Sequence, residues 1–321
     1  MVRYGIVRRI AAPLFSLAAI VGIGTTAHAS PVTLTGNYLQ VGISDYGTFG
    51  SDGNASPGIL HDPTGKQNFG VNDYLTPGDP HDGFAVNSDQ TGFVVNDNHG
   101  GSPFGFTSPT VTTVAGYTLA ATWTGTIAGQ LSITNTYYFN PGDEQIKIKT
   151  TIQALTDLSN LSFGRSEDPD PDVNTSGDYS TVNTRGDSKT APEDLVSAAG
   201  ATTGLTIGIL NNSGNLYAHN TGISGDCCDN DNPSNVLNGY GPLFPDTNNG
   251  DYGLQIAWFV GDLSNGQTAE IDYSYVFGTN QGSVSVPGVP LPASAPMFGA
   301  ALLGLAGLGY AAKRKKAAAA A

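Results

Sequence analysis

The eight residues QIKIKTTI, at 145–152, put Ile146, Ile148 and Ile152 on one side of an extended chain and Lys147 and Lys149 on the other. A two-residue period suits a strand with one face in a core and the other in water, and a 3.6-residue helix would scatter it. The pattern returns in TGFVVN (91–96), YTLAATWTG (117–125), GQLSITNTYYF (129–139), LTIGIL (205–210) and AEIDYSYVFG (269–278). LQIAWFV (254–260) is nearly continuous apolar, as in a sandwich-core strand. Turn signals punctuate these runs: TPGDP, NPGD, NNSGN and LSNGQ. With 43 glycines and few charged residues, the chain is poor in long-helix formers. One short helix is expected near APEDLVSAAG (191–200). The expected fold is all-β: one large antiparallel two-sheet β-sandwich with long Asp/Asn/Gly-rich loops. No internal repeat points to a propeller or β-helix.

The two ends read differently. Arg3, Arg8 and Arg9 precede an apolar run from Ile10 to about Gly24, and Ala27-His28-Ala29 follows. This is the pattern of a secretory signal peptide over 1–29, with cleavage by signal peptidase between Ala29 and Ser30. At the other end, residues 295–312 form an uncharged run long enough to span a bilayer as a helix. A basic tail, 313–321, follows it with Lys313, Arg314, Lys315 and Lys316, which would stay cytoplasmic. The expected organisation is therefore a signal peptide, a β-sandwich body over 30–286, a Pro-rich linker over 287–294, a transmembrane helix and the tail. The span between the terminal basic clusters holds six basic and all 27 acidic residues, a net of −21. Such a surface repels nucleic acid and anionic membranes, and suits divalent cations or plain solubility.

Val289-Pro290-Leu291-Pro292-Ala293, then a Gly/Leu/Ala-rich segment, then the basic cluster, resembles the VPLPA type of PEP-CTERM protein-sorting signal of Gram-negative bacteria. The resemblance implies handling by an exosortase-type membrane enzyme, removal of the tail, and association with exopolysaccharide, biofilm or the cell surface. Until then the protein would be held in the membrane by its C-terminal helix. A second resemblance, to modules of large bacterial surface and adhesin-like proteins, rests on an R-x-x-DPDxD … T-x-N pattern. Its residues here are Arg165, Asp168, Pro169, Asp170, Asp172, Thr181 and Asn183.

Two loops offer ligands. Asp168, Asp170 and Asp172 alternate and are followed by Asn174 and Asp178, so a bend would gather several oxygens around one Ca²⁺. The competing reading is a solvated turn. Cys227 and Cys228, in SGDCCDNDNPSN, are the only cysteines. In an exported chain they would form a strained vicinal disulfide, an intermolecular bridge, or free thiols open to a soft metal. Asp229 and Asp231 beside them are further oxygen donors. His61-Asp62 and His81-Asp82 are adjacent pairs of a kind used in metal or acid–base sites, and more often structural. No G-x-S-x-G, H-E-x-x-H or P-loop occurs. The expectation is a non-enzymatic structural or adhesion protein, with a carbohydrate-binding or polysaccharide-active (lyase- or mutarotase-like) sandwich as the alternative.

Overall fold

The alternating segments become three antiparallel sheets in a computed structural model that describes residues 31–284, apart from 51–55, 71, 78–79, 99–102, 106, 187–193, 229, 240–242 and 245–246. A nine-stranded sheet runs in the order β16 (Thr247–Gly250), β11 (Thr181–Arg185), β12 (Leu195–Gly200), β13 (Thr206–Asn211), β18 (Thr268–Gly278), β9 (Gln145–Ala154), β8 (Leu131–Phe139), β7 (Leu119–Ile127) and β6 (Thr110–Val111). A six-stranded sheet runs β15 (Leu243–Phe244), β14 (Ala218–Ser224), β17 (Gly253–Leu263), β10 (Leu158–Glu167), β4 (Asp82–Ser88) and β5 (Gly92–Asp97). A small third sheet joins β1 (Val32–Thr35), β2 (Leu39–Ile43) and β3 (Ile59–His61). Two short helices, α1 (Val173–Ser176) and α2 (Pro233–Asn238), complete the described elements.

The alternation sets which side chains meet. On β9, Ile146, Ile148 and Ile152 are buried while their lysine neighbours face outward. The two larger sheets share one core across which aromatic rings touch. Phe84 lies 5.7 Å from Trp123, and Trp258 lies 5.2 Å from Tyr273. Each such fully buried large side chain contributes about 1.5–3 kcal/mol. The all-β expectation thus holds as an antiparallel, sheet-on-sheet fold.

One local expectation is corrected. Within APEDLVSAAG, residues 195–200 form strand β12 rather than a helix. Both of its neighbours in the sheet, β11 and β13, are already extended, and all six residues are buried. The ladder and the two-sided burial override a weak local helix preference. The signal peptide with its Ala29–Ser30 junction, the 287–294 linker with Val289 to Ala293, the 295–312 segment, the basic tail and Asp229 lie outside the described residues. Among the described residues no helix is long and apolar enough to cross a membrane.

Candidate functional site

Polar groups concentrate where β10 ends. Arg165 sits on the inner face of β10, opposite Phe84 and Ile256, and is buried. Its Nη2 donates to Asp82 Oδ2 on β4, and its Nε donates to the Tyr275 hydroxyl at 2.9 Å. The Tyr275 hydroxyl in turn donates to Asp82 Oδ1 at 2.6 Å, and the Phe49 amide donates to Asp82 Oδ2 at 2.6 Å. Burial pushes the Asp82 carboxyl up, while the Arg165 charge and these donors hold it down. The pair is ionised, because a hydroxyl, an amide and a guanidinium converge on one carboxylate. The guanidinium also stacks over the Phe49 and Tyr275 rings, 5.5 Å from each centroid.

Two residues further, Glu167 is also fully buried, and neither carboxyl oxygen has a hydrogen-bond partner among the described residues. Burial, reinforced by the Asp82 charge, raises it well above the usual carboxylate range. Past the strand end, Asp168 and Asp170 are anchored through their amides, which donate to the His81 and Tyr74 carbonyls at 2.9 and 2.8 Å. Asp251, which leads into β17, joins them: one carboxylate oxygen from each of Asp168, Asp170 and Asp251 lies within 4.8 Å of the other two. Burial, then the Asp251 charge, pushes Asp170 up to about 8. Asp251 is held in reach by β11. Thr181 Oγ1 and Asn183 Nδ2 donate to the Gly250 carbonyl at 3.0 and 3.3 Å. The separated halves of the DPDxD … T-x-N pattern therefore build one place. Cys227 and Cys228 are joined to each other by a disulfide beside it, with Cys228 Sγ 3.6 Å from Asp168 Oδ2.

The remaining predicted ligands go elsewhere. Asp172 is buried, but its carboxylate accepts from the Thr202 and Thr203 amides and the Thr203 hydroxyl across a neighbouring turn. Asn174 is exposed on α1, and Asp178 caps its own turn by accepting from the Ser180 amide at 2.9 Å. Asp231 pairs with Gln255 on β17. The His-Asp neighbours turn to different partners. His81 Nε2 lies between Ser166 Oγ and Asn230 Nδ2 at 3.4 and 3.2 Å, facing away from Asp82. Asp62 binds the Thr64, Lys66 and Asn68 amides, while buried His61 meets Tyr74 and is lowered to about 4 by burial.

The outer face of the six-stranded sheet carries a second feature. One register row crosses it: Phe93 on β5, Asn87 on β4, Ser162 on β10, Phe259 on β17 and Ala218 on β14. Paired residues point to the same face, and both phenylalanines are exposed, by 44% and 42%. Three strand spacings separate them, about 14 Å. Helix α2 lies against this face, with Ser234 Oγ accepting from Asn87 Nδ2 at 3.1 Å. Between α2 and the sheet opens a shallow cleft of about 360 Å³, lined by Ala218, His219, Ser234, Leu237, Asn238 and Phe259. His219 is set there by Asp194, Nε2 to Oδ1 at 2.9 Å. Sequence reading missed this row. It placed IAWFV in the core, yet alternation sends Trp258 inward and Phe259 outward.

No protein-family profile and no curated protein matches the chain. Among solved structures, the fold is similar to a bacterial glucoamylase complexed with acarbose, at 14% identity and a TM-score of 0.49, over 78% of this chain and 32% of that one. A galactose mutarotase related enzyme from Lactobacillus acidophilus is similar over 78% of this chain and 98% of its own, at 10% identity and a TM-score of 0.34. An alpha-mannosidase from Enterococcus faecalis is similar over 78% and 30% of the two chains, at 9% identity and a TM-score of 0.38. The chain thus spans about a third of the glucoamylase. At these identities the likeness is one of fold alone. The expectation of a non-enzyme is corrected to this extent: the proteins similar in fold are by name carbohydrate-active enzymes, and missing motifs do not exclude an enzyme.

Proposed function

We propose that this chain is a carbohydrate-directed protein that holds a polysaccharide along the outer face of its six-stranded sheet. The observation that carries the reading is the pair of exposed rings, Phe93 and Phe259, on one face beside the α2 cleft. Aromatic faces pack against the apolar C–H faces of sugar rings, and Ser234 and Asn238 at the cleft supply hydroxyl partners. The strongly acidic body favours a neutral glycan over a polyanionic one. The test is retention of the full chain on a panel of neutral and acidic polysaccharides, with Phe93→Ala and Phe259→Ala compared. Each truncation is expected to weaken binding to a neutral glycan by about tenfold, the loss of about 1.4 kcal/mol. Equal retention of wild type and Phe259→Ala would reject the face. Scoring new reducing ends or unsaturated products in the same incubations shows whether the held glycan is also turned over.

The same reading takes in the ends of the chain. Export through residues 1–29 and sorting through Val289 to Ala293 would deliver the sheet to an exopolysaccharide matrix or cell surface. Protein recovered outside the cell is then expected to begin at Ser30 and to lack Lys313 to Lys316. Intact-mass measurement checks both, and a chain still running from Met1 to Ala321 contradicts both.

A further inference from the structure

We infer that Asp168, Asp170 and Asp251 form a site for a hard divalent cation of the Ca²⁺ class, which ties the end of β10 to the start of β17. Two oxygens on one Ca²⁺, each at about 2.3–2.6 Å, stand at most about 5 Å apart. The three carboxylates meet that limit, each within 4.8 Å of the others. Proximity of acids alone is common, so the second observation matters more. Asp170 is only 2% exposed, its Oδ1 is buried with no hydrogen-bond partner among the described residues, and its carboxylate is directed at the other two. Neither Asp170 nor Asp251 has a lysine or arginine partner among the described residues. A buried carboxylate left without donors is costly unless a cation meets it.

The placement is built from several elements. The Asp168 and Asp170 amides are pinned to the loop that carries His81 and Tyr74. The Gly250 carbonyl is pinned by Thr181 and Asn183 on β11, which presents Asp251 from the opposite side. The donor set is all carboxylate oxygen, which selects hard cations. The nearby sulfurs of Cys227 and Cys228 are joined to each other, so they offer no thiolate for a soft metal. Asp251 is exposed, which leaves an entry path and room for water ligands.

The experiment titrates CaCl₂ into the full chain, stripped of metal by chelation, and follows heat and melting. One site per chain is expected. The melting temperature should rise by about 5–10 °C at a hundredfold excess over the dissociation constant, relative to chelator. Asp251→Asn, at an exposed position where folding is not at stake, is expected to weaken binding by about tenfold or more. Superimposable melts in CaCl₂ and chelator without binding heat would overturn the site, as would unchanged affinity in Asp251→Asn.

Discussion

Replacing Asp82 by alanine is expected to cost about 3–5 kcal/mol of stability, because it strands a guanidinium in the core. Arg165 and Asp82 are both buried to the last atom of their side chains. Arg165 Nη1 already lacks a partner among the described residues, so Nη2 has no slack to share once the carboxylate is gone. The Tyr275 hydroxyl and the Phe49 amide lose their acceptor in the same step. At roughly 2–4 °C per kcal/mol for a domain of this size, the melting temperature should fall by about 10 °C. The double variant Asp82→Leu, Arg165→Met should recover much of the loss, since a packed apolar pair needs no charge compensation. Calorimetry on the three proteins checks this. A loss below about 1 kcal/mol in Asp82→Ala would show that water reaches the pair and that the buried network does not help tie β4 and β10 to Tyr275 on β18.

A second large effect separates structural acids from ligand acids. Asp172→Ala is expected to cost about 3 kcal/mol, from three charge-assisted hydrogen bonds at about 1 kcal/mol each. Its acceptors serve the Thr202 and Thr203 amides and the Thr203 hydroxyl, and the carboxylate packs against Gly200, where a side chain would collide with it. That cost should be the same in Ca²⁺ and in chelator, because the Asp172 carboxylate is spent on the turn after β12. Asp251→Asn should behave in the opposite way, with little change in chelator and most of the Ca²⁺-dependent rise removed. Melting curves of both variants in both buffers decide the matter. If the Asp172→Ala deficit appeared only with Ca²⁺, Asp172 would belong to the cation site after all.

The structure also separates His81 from Asp82. His81 immediately precedes β4 and Asp82 opens it, and the extended backbone turns their side chains to opposite sides, so they join different networks. The disulfide between Cys227 and Cys228 closes a loop against Asp168 and leaves that carboxylate's neighbourhood to oxygen donors.

Strands were legible in the sequence because their signal is local. QIKIKTTI, GQLSITNTYYF and AEIDYSYVFG each contain the period that buries one face, and they became β9, β8 and most of β18. APEDLVSAAG was not legible, since its strand exists only because neighbours on both sides supply a ladder. Function-bearing positions depended still more on distance along the chain. Asp82 meets Arg165 across 83 residues, and Thr181 reaches the Gly250 carbonyl across 69. The sequence by itself determined the β class, the acidic body and the presence of a carboxylate-rich turn after β10. Only the tertiary structure decided that Asp251, not Asp172, completes the acid cluster, and that Phe93 and Phe259 share a face. Side-chain direction alternates with every residue and turns with every bend, so partners are chosen by sheet register, which no short stretch of sequence specifies.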